Sequence, residues 1–423
     1  MKDSLTLGRI PLGSCADVRL KYKSTIGGAR LGKLLQDMDH FAALVLNKHI
    51  LNPLQGDHHY HGHAVITARM DHLHIKERIL ADRDVVLVGH VTWVGTSRAE
   101  VGVRVEQEVK GGEESRRHMC EARFVMVARD AATGTKSAPI NPLKTETPEE
   151  RFLFSLGEKN IALRAKMDQD ALFKEPPSQE ESSLIHKMFL NTVDHSARSW
   201  SARMIPKNGK WMGDAKLKSI ILCEPQHRNA YNKVSGGLIM EKCVDLALVL
   251  AWTFTGTSAA PQCLHVDDVV FMRPVEIGDL LYFHSQVVFT HENKVQTRVS
   301  AEVLDKTTNS LKLSNVLQIT WQMPELVPHV VPRTYHEAMA YLMGRRHFLI
   351  GLENQGLLEK GTAEVQFFDA NNYLPNWFSV EKRTQEKPIL HHPEDLSHYV
   401  SSEEMFMGAE ATQKIRDRER GAM

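Results

Sequence analysis

The chain of 423 residues contains one pattern twice, and this internal repeat restricts the folds open to it. Each copy begins with glycines and continues into a stretch whose apolar residues recur at helical spacing. These residues are Leu31, Leu34, Leu35, Met38, Ala42 and Val45 in the first copy, and Ile239, Met240, Cys243, Leu246, Ala247 and Leu250 in the second. We therefore expect two helices, each with one apolar face buried.

Four runs rich in Val, Ile, Phe and Thr follow each of these helices, separated by Gly, Asp and Asn turn signals. They cover residues 64–70, 85–94, 99–109 and 120–129 in the first copy, and 264–271, 280–290, 294–304 and 311–322 in the second. Asp71, Trp93 and Glu106 correspond to Asp267, Phe289 and Glu302 at one constant offset. The pattern predicts an α+β fold of two units, each an antiparallel sheet wrapped around a central helix. Two independent domains without a shared site remain the alternative.

Segments outside the repeat suggest the remaining boundaries. Thr147-Pro148-Glu149-Glu150 has the form of a helix capping box, and a second helix start follows at Ser178. We therefore predict a first domain over 1–144, a helical linker over 145–205 and a second domain over 206–330. Residues 331–423 are predicted to hold one helix, over 335–347, and then a polar, partly disordered tail.

Composition narrows the classes of partner. The 52 basic and 52 acidic residues balance, which argues against a nucleic-acid surface. No apolar run approaches the roughly 20 residues of a membrane helix, so membrane insertion is not expected. The five cysteines are an odd number without a C-x-x-C pair, which argues against a disulfide scaffold or zinc knuckle. A small molecule is the expected partner.

Residues 225–237 read PQHRNAYNKVSGG and lead directly into the second helix. This segment, with the strand at 266–271 and the Pro274, Gly278 and Asp279 that follow, resembles the hotdog-fold acyl-CoA thioesterases, closest to their mitochondrial members. The resemblance runs from Met1 to about Phe348. It implies two tandem hotdog domains that hydrolyse acyl-CoA to free fatty acid and CoA without metal or organic cofactor. It also implies a homo-oligomer, most readily a trimer of double hotdogs.

The resemblance further implies a mitochondrial location. The segment MKDSLTLGRIPLG at the N-terminus has neither a secretory signal's apolar core nor the Arg-rich, acid-poor character of a presequence. A start at an internal methionine would explain this, and a cytoplasmic location is the alternative. The sequence does not indicate the length of the acyl chain, because pocket depth depends on side-chain packing.

Thioester hydrolysis places two demands on the site. The carbonyl oxygen becomes negative under attack, and free backbone N–H groups at a helix N-terminus stabilise that charge. Gly236 and Gly237 are the candidates, although a glycine pair can also simply permit close helix packing. The second demand is a base that deprotonates water, and a carboxylate suffices.

In the family, this acid lies on the central helix of the neighbouring hotdog, seven residues after the second glycine. Counting from Gly32 leads to Asp39, whereas counting from Gly237 leads to Val244, which cannot accept a proton. Conversely, Asn229 precedes the second glycine pair and the first copy has no asparagine there. We therefore predict one composite site that combines Asp39 from the first unit with Asn229 from the second. A small shift of register would move the acid to Asp37 or Asp245.

Other chemistries are weaker candidates. The histidines of residues 58–63 could bind a metal, but no H-E-x-x-H spacing accompanies them, so a solvated or helix-capping role is favoured. A serine hydrolase requires a G-x-S-x-G turn, which the sequence lacks. His40 beside Asp39 leaves open an enoyl-CoA hydratase-like enzyme, and a non-catalytic acyl-CoA binder is the other alternative.

Overall fold

The computed structural model describes residues 1–50, 62–108, 116–134, 136–169, 171–194, 196–197 and 199–354. Helices and strands from residue 6 to residue 192 form the first half of this fold. They are β1 (Thr6–Ile10), α1 (Ala16–Tyr22), α2 (Leu31–Ile50), β2 (His63–Ile75), β3 (Val85–Val94), β4 (Arg98–Glu108), β5 (Arg116–Asp130), α3 (Pro148–Gln169) and α4 (Gln179–Thr192). The second half repeats much of this order.

Its elements begin with two short strands before the second apolar helix. They are β6 (Gly209–Trp211), β7 (Lys216–Leu222), α5 (Gly236–Thr255), β8 (Gln262–Phe271), β9 (Leu280–His291), β10 (Lys294–Asp305), β11 (Ser310–Gln322), β12 (His329–Val331) and α6 (Tyr335–Asn354). Among the described helices, none is long and apolar enough to cross a membrane.

Ten strands form one antiparallel sheet in the order β1-β3-β4-β5-β2-β8-β11-β10-β9-β7. The first five strands in this order come from residues 6–130 and the last five from residues 216–322. The two groups meet where β2 pairs with β8, for example at Leu73 and Val266. The prediction of a mixed helix and sheet fold with a large antiparallel sheet is confirmed.

The strands are present where the runs rich in Val, Ile, Phe and Thr predicted them, although several extend further. β2, for instance, continues to Ile75 because it pairs with β5 on one side and β8 on the other. The edge strands β1 and β7 were not predicted, since each is short and takes its shape from the neighbour it pairs with. The predicted helix at 335–347 continues to Asn354, and the tail after it lies outside the described residues.

The central helices α2 and α5 cross at glycines. A Cβ atom on Gly32 would stand 2.9 Å from the Glu241 carbonyl oxygen, and one on Gly237 would stand 2.8 Å from the Gln36 carbonyl oxygen. Gly32 and Gly237 differ by 205 in residue number, as do Gln36 and Glu241, so one contact is made twice with the partners exchanged. The two halves of the chain therefore pack about an approximate two-fold axis.

Each half also carries one helix that packs over glycine against a strand. A Cβ atom on Gly157 of α3 would stand 2.5 Å from the Trp93 Cβ in β3. Likewise, one on Gly344 of α6 would stand 2.6 Å from a methyl carbon of Val288 in β9. The predicted helical linker thus contains a helix, α3, that belongs structurally to the first half.

Replacing Gly32 by alanine tests the helix crossing. The added methyl group would meet backbone atoms of Glu241, so one helix must move. Overpacking of this kind costs about 1–3 kcal/mol, more than the gain in helix propensity. We expect Gly32→Ala to lower the melting temperature by several degrees in calorimetry. Gly62→Ala, which adds its methyl group in open space, is the control, and equal melting of both variants would contradict the packing argument.

Candidate active site

Asp39 of α2 lies against the N-terminus of α5. Its side chain is buried, with 6% exposed, although it carries a carboxyl group. The Thr67 hydroxyl donates a hydrogen bond of 2.6 Å to Oδ1, and the Gly237 backbone N–H donates one of 2.9 Å to Oδ2. Because Gly237 belongs to the second half of the chain, the carboxylate of one half is held by the helix terminus of the other.

The surroundings of Asp39 change its acidity in a defined direction. Burial raises the pKa of this carboxyl group above the ordinary value of 3.8, because the charged form loses its hydration. Hydrogen bonding to Thr67, the nearby charge of His40 and hydrogen bonding to Gly237 act in the opposite direction and offset part of the effect. Each carboxyl oxygen receives one of these hydrogen bonds, so lone pairs remain for a water molecule.

Asn229 shapes the loop that precedes α5. Its Oδ1 accepts the backbone N–H groups of Tyr231 at 2.9 Å and Lys233 at 3.1 Å, which closes a tight turn. The side-chain amide N–H groups of Asn229 make no hydrogen bond to any residue that the structure describes. One half of this side chain therefore holds the loop, and the other half remains available to a ligand.

Strand β2 connects the Asn229 loop to Asp39. The Tyr231 hydroxyl accepts the backbone N–H of Val65 at 2.9 Å. Thr67, which holds Asp39, follows two residues later on the same face of the strand, about 7 Å along it. The loop from the second half and the acid from the first half are thus fixed on one strand.

A side chain at either residue of the glycine pair would meet neighbouring atoms at less than 3 Å. A Cβ atom on Gly236 would stand 2.8 Å from the Phe271 ring and 3.6 Å from Asp39 Oδ2. The N–H of Gly237 is already used by Asp39, which the sequence did not indicate. By contrast, the N–H of Gly236 makes no hydrogen bond within the described part of the chain. This group, next to the carboxylate, is the donor left for a negatively charged oxygen.

The two alternative acids lie elsewhere. Asp37 accepts hydrogen bonds from Lys33, at 3.1 Å, and from the hydroxyl of Tyr22. Asp245 forms an ion pair of 3.0 Å with Arg30. Among the described residues, neither carboxylate accepts a hydrogen bond from the backbone at the N-terminus of α5.

His40, the residue that kept a hydratase-like reading open, has an exposed side chain. Its Nε2 lies 2.9 Å from the Ser235 hydroxyl oxygen. It therefore lies at the rim of the α2–α5 contact and makes no hydrogen bond to the buried Asp39.

Most of the histidine run that could bind a metal lies outside the described residues. Residues 58–61 of the histidine run belong to the undescribed segment 51–61. Among the residues that are described, no group of three or more His, Cys, Asp or Glu side chains is arranged to hold a metal ion. The metal-free mechanism stays a prediction.

Sequence comparison identifies relatives that match most of the chain. No family model matches the chain. Human "Acyl-coenzyme A thioesterase 9, mitochondrial" is 38% identical over 355 residues, which cover 82% of this chain and 77% of that protein. Mouse "Acyl-coenzyme A thioesterase 10, mitochondrial" is 36% identical over 354 residues, covering 82% and 78%. "Acyl-coenzyme A thioesterase 4, mitochondrial" of Humulus lupulus is 32% identical over 347 residues, covering 78% and 63%.

Proposed function

The chain belongs to the acyl-coenzyme A thioesterase family, and on this premise we propose that it hydrolyses acyl-CoA at one composite site formed by Asp39 and the Asn229 loop. The products are a free fatty acid and CoA. The observation that supports this site best is the hydrogen bond from the Gly237 N–H to the buried Asp39, because it joins the two halves at the reacting position. The hydratase-like and non-catalytic alternatives lack a comparable observation.

The arrangement of strands and central helices supports two hotdog domains with a shared site. Five strands and one central helix come from each half, and the helices cross with exchanged glycine contacts. We infer that residues 1–144 and 206–330 form the two domains and that the linker over 145–205 adds a packed helix to the first. A site at the crossing then needs both domains.

The geometry suggests a simple reaction sequence. Asp39 accepts a proton from water while the water oxygen attacks the thioester carbonyl carbon. The Gly236 N–H stabilises the negative carbonyl oxygen, and the free amide N–H groups of Asn229 orient the thioester or the water. When the tetrahedral intermediate collapses, the carbon–sulfur bond breaks and the proton on Asp39 passes to the CoA thiolate. The Asp39 carboxylate is thereby restored for the next cycle.

We propose a mitochondrial location, which the names of the human and mouse relatives give for those proteins. We also propose that the chain assembles as a trimer of double hotdogs. Light scattering of the purified full chain is expected to give three times the chain mass. A monomer at working concentration would contradict the oligomer.

Asp39→Asn tests the base directly. The amide oxygen can accept from Gly237 and its NH₂ group can donate to Thr67, so both contacts and the fold should persist. Loss of a general base typically lowers the rate about 10²- to 10⁴-fold. We expect this fall in CoA release from acyl-CoA, with unchanged circular dichroism. Val244→Ala, at the position of the missing second acid, is the control and should stay within a small factor. Near-full activity of Asp39→Asn would refute the assignment.

Asn229 requires two variants, because its side chain holds the loop and is also proposed to contact the substrate. Asn229→Ala removes both roles and is expected to abolish turnover. Asn229→Ser keeps an oxygen for the turn, as Ser24 does in the first copy, where its hydroxyl accepts the Ile26 N–H at 3.3 Å. We expect the serine variant to fold normally and to lose most of kcat. Full activity with serine would show that Asn229 only shapes the loop.

The rate should depend on pH through Asp39. The carboxylate must be ionised to accept a proton, so activity is retained above its pKa and lost as the pH falls through it. Since burial raises this pKa, the midpoint is expected above 3.8. Thr67→Val removes a hydrogen bond that lowers the pKa and should move the midpoint of kcat/KM upwards. Cys263→Val, at the matching position of the second half, should leave it unchanged. A profile unaffected by Thr67→Val would exclude Asp39 as the titrating group.

A further inference from the structure

The loop before α2 repeats the fold of the Asn229 loop bond by bond. The backbone N–H of Asn229 donates to the carbonyl oxygen of Lys233 at 2.7 Å, and that of Ser24 donates to the carbonyl oxygen of Gly28 at 3.0 Å. The next bonds correspond as well, from Val234 to Val275 at 2.9 Å and from Ala29 to Ile79 at 2.8 Å. The chain therefore holds a second copy of the site's scaffold, with α2 and α5 exchanged.

The reacting groups are missing from this second scaffold. Residues 205 positions apart place Val244 where the first site has Asp39, and Ser24 where it has Asn229. The hydrogen bond between His40 and Ser235 is replaced by the ion pair between Asp245 and Arg30. Val244 has no carboxylate, and the two acids near Gly32, Glu241 and Asp245, both form ion pairs with Arg30. Within the described part of the chain, this scaffold therefore lacks a carboxylate held at the helix N-terminus to act as the base for hydrolysis.

A cavity of about 420 Å³ nevertheless occupies the second scaffold. It opens beside Gly32 and Val244. Its other apolar lining includes Leu34, Ile75, Ile79, Leu248, Trp252 and Trp321. This volume falls within the range of about 300–1,000 Å³ that is usual for small-molecule sites, and a mostly apolar wall suits a hydrocarbon chain. The space beside Val244 is therefore open, although the position has no carboxylate.

The mouth of the cavity provides a positive charge. Arg78 lines it with an exposed side chain and donates to the Ile26 carbonyl oxygen at 3.0 Å. Its guanidinium has no acidic partner among the residues that the structure describes. Arg30, by contrast, is paired with Glu241 at 2.9 Å and with Asp245. An anion at the mouth would thus meet Arg78.

We propose that this cavity binds a second acyl ligand, an acyl chain that carries an anionic end, and does not hydrolyse it. The acyl chain lies along the apolar wall beside Val244, and the anionic end lies at Arg78. A free fatty acid and an acyl-CoA share this chemistry. The choice of an acyl ligand rests on the proposed function, because the cavity is the counterpart of the hydrolytic site.

The number of ligands bound per chain tests the proposal without turnover. Calorimetric titration would use a thioether analogue of decanoyl-CoA, with decanoic acid and CoA as separate ligands. We expect the full chain to bind two acyl ligands. Val249→Trp, an exposed residue of the cavity lining, should block the second scaffold and leave one. Leu44→Trp, at the matching exposed position of α2, is the control. It should block the hydrolytic site and leave the ligand at the second scaffold.

Arg78→Ala should weaken the ligand at the second scaffold about 10-fold, as expected for loss of one charge-assisted contact. Binding of decanoic acid there would identify a free acid as sufficient, and binding of the analogue alone would identify acyl-CoA. One acyl ligand on the unaltered chain, or two on Val249→Trp, would overturn the proposal. So would binding of CoA at this cavity as tightly as the analogue. Asp39→Asn should still bind two ligands, because it changes only the proposed base. If Asp39 is not the base, this variant will hydrolyse acyl-CoA normally, and that result is distinct from a change in the number of ligands bound.

Discussion

The crossing of α2 and α5 at Gly32 and Gly237 is the contact on which the rest of the molecule depends. With no side chain at either glycine, the two helices approach until backbone atoms touch. This distance lets the Asp39 carboxylate reach the first turn of α5 and accept the Gly237 N–H. On the sheet side of the same junction β2 pairs with β8, and ten strands form one sheet. A larger residue at the crossing would separate both the helices and the two halves of the site.

The crossing is symmetric, but the residues around it are not. One side has Asp39, Thr67 and Asn229, and the other has Val244, Cys263 and Ser24 at corresponding positions. In a homodimer the two sides would be identical by symmetry, whereas fusion in one chain lets each side change independently. The scaffold bonds of the loops persist on both sides, because they hold the helix ends in place whatever chemistry follows.

The sequence predicted the central helices, the linker helices, α6 and the main strands, since these depend on periodicity and capping signals, but it did not predict α1. The counterpart relation between Asp39 and Val244 came from the family resemblance, counted from glycines that the repeat aligns. The sequence did not indicate Thr67. That residue lies beyond the segment 51–61, where the two copies differ in length, so its distance from Asp39 along the chain does not define its place in space. The sequence also did not indicate that Asn229 Oδ1 closes the loop in which it lies, because a turn of this kind depends on backbone geometry.

The cost of burying a charge explains why one acid is easier to keep than two. An ionised carboxylate out of water is unfavourable unless hydrogen bonds compensate, and Asp39 has donors from Thr67 and Gly237. In the second half, Cys263 stands at the position that corresponds to Thr67. Its thiol is a weak donor, so an acid at position 244 would lack the hydrogen bond that Thr67 gives to Asp39. An apolar side chain removes that cost, and Val244 is 2% exposed within the core. An apolar residue at Val244 therefore stabilises the fold, and the glycine crossing, which borders the cavity through Gly32, also places the Gly237 N–H against Asp39 in the first site.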